Sequence, residues 1–480
     1  MKDKNSKNEV IANFIWRFAE RCGAQGVTFI VSIILARLLD PSVYGTIAIV
    51  TVFITILNVF VDSGLGNALI QKKDADDLDF SSVFYFNIVI GILLYIAVFL
   101  TAPWIAAFYE DMELTALLRA LGITLLIAGV KNIQQAYVSK TMQFKKFFWS
   151  TLGGTLGSAV VGIAMAYFGY GVWALIVQLL FNAAVDTVIL WITVKWRPRR
   201  MFSYKRLKGL FGYGWKLLVS ALIDTGYNNL RNLIIGKIYS KEDLSFYDKA
   251  NRFPSLIILN INNSIDSVLF PSMSEKQESS ETVKHMTRRA IQVSTYLMAP
   301  LMTGMAVCAE PMIRLLLTEK WMSCVPYLRI FCIVYMFYPI HTANLNAIKA
   351  MGRSDLFLKL EIIKKTVGVV LLLATMRISV MAMAYSLLLS SVISQFVNSW
   401  PNSKLLNYNY LEQLKDMLPG MLSAAFMGGC VWGIQYLPLH DLPVLVIQVI
   451  SGIFIYVLCS HLFKIKSYLY LKEMIAHKRN

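Results

Sequence analysis

Acidic side chains are scarce in this sequence: 29, against 46 lysines and arginines, in 480 residues. The four charged types together reach only 16%, where a water-facing domain normally carries about 25%. Most of this surface therefore meets something other than water. Cysteine is equally thin. The six (Cys22, Cys308, Cys324, Cys332, Cys430 and Cys459) are scattered, mostly in apolar stretches, and form no C-x-x-C. The five histidines show no ligand spacing. A disulfide scaffold and a metal centre both lack their signature, and the cysteines read as small core residues. No G-x-x-x-x-G-K-[ST] loop occurs, so the chain carries no P-loop ATPase motif and no cofactor is expected. A cleavable signal is not expected either, because Arg17, Glu20 and Arg21 interrupt the first apolar stretch and no small-residue cleavage site follows.

What remains is hydrophobic: 56% of the residues. About 20 mostly apolar residues cross a bilayer as a helix. The chain divides into about fourteen such segments, over residues 11–37, 43–70, 80–105, 114–139, 147–168, 171–194, 210–238, 244–271, 286–312, 324–349, 355–375, 378–400, 415–436 and 442–463. The expected fold class is an all-α integral membrane protein. The net charge of +17 then acquires a meaning. Lys72, Lys73, Lys140, Lys145, Lys146, the basic stretch 195–209, Lys276, Lys284, Arg288, Arg289, Arg353, Lys404 and the basic tail all fall on one side. The other side holds Arg37, Lys237, Lys241, Arg314, Lys320 and Arg377. Basic loops collect in the cytoplasm, so both termini are expected there and the number of spans is even. No soluble basic face is long enough for nucleic acid. The tail 463–480 reads either as an interfacial helix or as a frayed basic end.

Self-comparison reveals a repeat. Ile34-Leu35-Ala36-Arg37 aligns with Ile234-Ile235-Gly236-Lys237, and Asp62-Ser63-Gly64-Leu65 with Asp266-Ser267-Val268-Leu269. Leu118-Arg119 aligns with Leu328-Arg329, and the Ala136 region with the Ala347 region. Two six-helix lobes related by a parallel repeat are expected: residues 1–195, a cytoplasmic linker 196–209, and residues 210–402. Residues 403–480 add two helices and the cytoplasmic tail.

Ionisable residues inside a bilayer are costly and mark candidate functional sites. The first helix carries Asn13, Arg17, Glu20, Arg21, Gln25 and Thr28 at steps that share a face. Its repeat partner carries Lys216, Ser220, Asp224, Tyr227, Asn228 and Arg231, and the eighth helix adds Arg252. Arg17, Arg21, Lys216, Arg231 and Arg252 outnumber Glu20 and Asp224, so the expected cavity between lobes is cationic. Arginine forks match phosphate oxygens, which points to an anionic, phosphorylated substrate. The bland alternatives are snorkelling of Arg17 and a structural ion pair between Asp224 and Arg231. Lys131 in the fourth helix reads as a snorkelling side chain, with a contribution to the cavity from its cytoplasmic half as the alternative. Asp62 and Asp266, related by the repeat, are read as helix-end or gating groups. Glu20 and Asp224 are the candidates for ion coupling.

Tyr44-Gly45 followed by Asp62-Ser63-Gly64-Leu65-Gly66-Asn67-Ala68-Leu69-Ile70-Gln71 resembles the second-helix signature of Wzx-type bacterial polysaccharide flippases. Phe246-Tyr247-Asp248-Lys249-Ala250-Asn251-Arg252 and Leu269-Phe270-Pro271-Ser272-Met273-Ser274 are similar to their eighth-helix region. The resemblance covers essentially the whole chain and is nearest the colanic- and teichuronic-acid exporter branch. It implies the multidrug/oligosaccharidyl-lipid/polysaccharide exporter fold in the bacterial inner membrane. It also implies a substrate of oligosaccharide on undecaprenyl diphosphate, moved from the cytoplasmic to the periplasmic leaflet. Implied partners are membrane lipids, a polysaccharide polymerase and glycosyltransferases, with no nucleic acid and no enzymatic role. The related lipid II flippases use arginines on helices one and eight for the diphosphate; Arg17, Arg21 and Arg252 stand on comparable helices, without a matching motif. The competing readings are a multidrug antiporter, for which an acidic or apolar cavity is expected, and a membrane-embedded polymerase or ligase, for which a long periplasmic catalytic loop is expected.

Overall fold

The computed structural model describes the backbone of residues 2–62 and 64–477, and the side chains of Trp16 and of residues 19–62 and 64–473. Every regular element among the described residues is helical. In chain order these are α1 (Lys2–Leu38), α2 (Pro41–Asp62), α3 (Leu65–Gln71), α4 (Asp77–Tyr109), α5 (Glu113–Lys140), α6 (Phe144–Tyr167), α7 (Val172–Thr193), α8 (Tyr204–Ile238) and α9 (Lys241–Glu275). There follow α10 (Ser280–Val307), α11 (Ala309–Leu317), a 3-10 turn (Glu319–Cys324), α12 (Val325–Met336), α13 (Tyr338–Ala350), α14 (Ser354–Thr375), α15 (Val380–Leu405), α16 (Tyr410–Ile434), α17 (Asp441–Leu462) and α18 (Lys466–His477).

Eleven segments among the described residues are long and apolar enough to span a bilayer. The other three expected spans are also helices, α8, α9 and α14, but too rich in polar residues to meet the same measure. That polarity is what singled out α8 and α9 as bearing function. Helix starts follow local chemistry. Ser203, Ser279, Ser379 and Asn409 each accept a hydrogen bond from the backbone N–H three residues on, satisfying a donor that the first turn leaves open. Asp76 and Asp79 form a reciprocal capping box that opens α4.

The chain divides into two compact units, residues 1–245 and 246–480. Thus α8, which the repeat pairs with α1, packs in the first unit against α2, α3 and α4. Each unit builds a cluster of buried apolar residues toward one set of its helix ends. In the first, Phe80, Phe84, Ile133, Phe147, Leu190 and Leu210 surround Trp196, which follows α7. In the second, Met273, Ile291, Ile340, Ala347 and Met417 surround Tyr408, which follows α15. Trp196 and Tyr408 are thus further counterparts in the repeat, each plugging its own unit.

Candidate functional site

Helix α8 carries the densest polar stripe. Lys216, Ser220, Asp224 and Asn228 recur every four residues, and all four are exposed in the first unit. Leu207, Leu210 and Gly214 near its start are buried, and so are Arg231 and Ile235 near its end; Arg231, seven residues after Asp224, stands only about 20° from it around the helix and so continues the line of the stripe. Two glycines of the motifs in the second helix lie close against this helix and the turn after it. Gly64 adopts φ 67°, and a Cβ there would lie 2.5 Å from the Gly214 carbonyl oxygen. Only glycine combines that left-handed bend with that approach. Gly45 lies against the turn after α8, where an added Cβ would fall 1.9 Å from the Lys241 carbonyl oxygen. The same turn is pinned by ion pairs Lys237–Glu110 at 2.8 Å and Lys241–Asp111 at 2.6 Å. The Tyr109 hydroxyl donates to the Leu233 carbonyl at 3.2 Å.

Arg231 sits just beneath these pins, 8% exposed. Its Nε and Nη2 atoms are buried with no hydrogen-bond partner among the described residues. The ion pair with Asp224 weighed from sequence is not found among the described residues: Asp224 stands two turns earlier on the helix, is exposed, and has another interaction. An unpaired buried guanidinium is expensive, because each donor loses water without replacement.

On α1 the expected single polar face divides. Glu20 turns toward α6, is buried, and accepts from the Thr151 hydroxyl at 3.3 Å. Trp16 packs edge-on against Phe148 on the same side. Arg21, Gln25 and Thr28 keep to the exposed face. Adjacent residues on a helix lie about 100° apart, which is why Glu20 and Arg21 part company. Arg17, the most strongly expected anion ligand with Arg21, lies outside the described side chains. Lys131, read as snorkelling, instead meets the part-buried Asp186 of α7 at 3.3 Å, a partner too distant in sequence for spacing to reveal. Asp62 is exposed near the C-terminus of α2.

In the second unit Arg252 is 61% exposed in its side chain and pairs with Asp248 one turn earlier, at 2.9 Å. Lys249, between them, is buried, its Nζ 5.5 Å from the centre of the Trp321 ring. Asn251 accepts from the Tyr335 hydroxyl at 2.8 Å. The Phe246–Arg252 motif therefore presents one cation outward and tucks another inside. Asp266 is exposed, like its repeat counterpart Asp62. Among the described residues no group of acidic, histidine or cysteine side chains is arranged to hold a metal ion.

These helices and motifs find their match among known proteins. Residues 34–326 fit the model of a family described as polysaccharide biosynthesis protein. The chain belongs to that family. Teichuronic acid biosynthesis protein TuaB of Bacillus subtilis is 24% identical over 436 residues, covering 88% of each chain. Succinoglycan biosynthesis transport protein ExoT of Rhizobium meliloti is 27% identical over 320 residues, 66% of this chain and 65% of that one. Among solved structures, lipid II flippase MurJ in an inward closed conformation superposes with a TM-score of 0.75 at 16% identity, covering 94% of this chain and 98% of its own. A multidrug resistance MATE family transporter of the MOP superfamily superposes at 0.64 and 14% identity, over 79% and 94%. The resemblance to polysaccharide flippases drawn from the motifs therefore agrees with the family, and the chain is a multi-pass membrane protein with the fold that these transporters share. Fold likeness alone spans both flippases and drug transporters, so the chemistry of the site has to separate them.

Proposed function

We propose that this protein moves an oligosaccharide linked to a polyprenyl diphosphate from the cytoplasmic to the periplasmic leaflet by alternating access. Membership in a polysaccharide biosynthesis family supports a lipid-linked sugar as cargo. The observation that carries the anionic headgroup is Arg231: a buried guanidinium in a helix of the membrane domain, its Nε and Nη2 without partners among the described residues. Arg17, Arg21, Lys216 and Arg252 are assigned with it to diphosphate binding, and Glu20, Asp224, Asp62 and Asp266 to coupling or gating. A drug antiporter handling cations gains nothing from such a set of arginines and lysines.

A protein is needed because sugar hydroxyls crossing hydrocarbon without partners cost several kcal/mol per unpaired group. The membrane potential supplies a drive. Two negative charges moving outward gain about 4.6 kcal/mol per 100 mV of inside-negative potential. The six-helix repeat lobes, 1–195 and 210–402, are proposed as the elements that rock.

The test is flipping of a polyprenyl-diphosphate oligosaccharide in proteoliposomes with a clamped potential and no ion gradient. Arg231→Gln removes a charge-assisted contact of about 2 kcal/mol and should slow flipping roughly thirtyfold, while Arg231→Lys keeps part of the rate. Normal flipping by the glutamine variant removes the assignment. Indifference to the clamped potential removes the electrogenic drive.

A further inference from the structure

A second cationic site lies in the second unit, lined by none of the residues assigned to the cargo. The first turns of α16, the start of α18 and the middle of α10 enclose a cavity of about 290 Å³. Its lining includes Gln292, Tyr296, Lys415, Asp416, Lys464 and Lys466. The one acid is already spent: Asp416 accepts from Arg288 at 2.6 Å, the Tyr408 hydroxyl at 2.8 Å and Gln292 at 2.8 Å. The three lysines are exposed and form no ion pair or hydrogen bond among the described residues. Three lysines therefore line one cavity whose one acid is already paired.

The cavity is built, not a gap beside a loose tail. Ile465, Tyr468 and Leu471 of the α18 region pack on an apolar cluster with Tyr296, Ala424, Met427 and Tyr456. The Tyr296 hydroxyl donates to Ser460 at 3.0 Å, and the Tyr456 hydroxyl to the Tyr296 carbonyl at 2.8 Å. Arg289 stacks 3.9 Å over the ring of Tyr470. These contacts fix the segment that carries Lys464 and Lys466 beside the cavity that Lys415 also lines.

Position identifies the occupant. Lys415 stands near the start of one bilayer-length helix, and Lys464 just after the end of another. The cavity thus sits where headgroups lie. From Lys415 an exposed apolar stripe, Leu418, Leu422 and Phe426, runs into the span at steps of three and four. Leu462 and Phe463 expose their side chains at the rim. A volume at the small end of ligand sites suits a headgroup rather than an oligosaccharide.

We propose that this cavity binds the phosphate of an anionic phospholipid, with the three lysines on the headgroup and the acyl chains along Leu418, Leu422 and Phe426. It is a lipid site separate from the cargo path and does not depend on the flipping reading.

The full-length protein, in detergent, should retain cardiolipin or phosphatidylglycerol in native mass spectrometry in preference to phosphatidylethanolamine. The triple variant Lys415→Gln, Lys464→Gln, Lys466→Gln should bind cardiolipin on the order of a hundredfold more weakly, at roughly fivefold per lysine. The triple arginine variant should keep binding. Leu418→Asn with Leu422→Asn should weaken lipid but leave any binding of inorganic phosphate unchanged. Equal cardiolipin retention by the triple glutamine variant overturns the proposal. So does retention of phosphatidylethanolamine to the same degree, or displacement of cardiolipin by equimolar inorganic phosphate, which makes a soluble anion the ligand. Should the triple glutamine variant elute as aggregate, Lys415→Gln alone carries the same test, with an expected fall of roughly fivefold.

Discussion

Gly64 shows how one residue of the family motif sets the site. It bends left-handed at φ 67° and brings the chain within contact of Gly214 on α8. Gly66, two residues on, has its nearest neighbour for a Cβ at an ordinary 3.6 Å. Gly64→Ala should therefore cost at least the roughly 1–2 kcal/mol of a left-handed alanine, plus the clash with backbone, and lower the unfolding temperature in detergent. Gly66→Ala should leave it nearly unchanged, and equal losses in the two variants would remove this account. The spacing Asp62-Ser63-Gly64 was legible as a motif from the sequence. Its purpose was not, because the partner is a carbonyl 150 residues away. Glu20 and Arg21 teach the same lesson from the other side. Both stood on the polar face of α1, but only packing with α6 decided that Glu20 turns inward to Thr151.

At the scale of elements, the basic stretch after α7 is not a slack connection. Asp79, fully buried, meets Lys72 at 2.6 Å and Arg206 at 3.2 Å. The Trp196 ring nitrogen donates to Asp77 at 3.1 Å, and the Arg199 and Ser203 backbones donate to Ser81 and Ser82. The stretch is laced onto the start of α4, which fixes where α8 begins. Asp79→Asn leaves two cations facing each other and should destabilise the first unit toward the low end of the roughly 3–5 kcal/mol of a broken buried pair, since both cations are part-exposed. Faster proteolysis between residues 195 and 209 would register it; unchanged proteolysis and unfolding would refute it. The pH dependence has a definite sign. Asp76 is held below the usual carboxylate range, first by the Asp79 backbone N–H and then by Arg206 and Lys72. A lowered folded value stabilises at pH above the unfolded one and is lost only as pH falls through the folded one. The lacing should therefore be constant from about pH 5 to 8 and loosen below about pH 4.

For the whole molecule, the distribution of lysine and arginine predicts that both termini lie in the cytoplasm with an even number of spans. A fluorescent reporter that matures only in the cytoplasm, fused after residue 480, should be bright, and alkaline phosphatase at the same place inactive. The reverse pattern would require an odd count. The same fusions within the turns around residues 240 and 378 should give periplasmic behaviour if α8, α9 and α14 cross the membrane despite their polarity.

Hydropathy in the sequence determined the all-helical membrane fold and the order of the helices, and short motifs carried the resemblance to polysaccharide flippases. These are properties of local composition and of residues close in the chain, which a linear reading captures. Only the tertiary structure decided which polar side chains stay open. Among the described residues it left Arg231 without partners at Nε and Nη2, matched Lys131 to Asp186, tucked Lys249 beside Trp321, and folded the basic tail against α10 beside a cavity that three lysines line. The physical reason is that the free energy of a buried charge depends on what stands within a few ångströms of it, and those neighbours come from helices far apart in the chain.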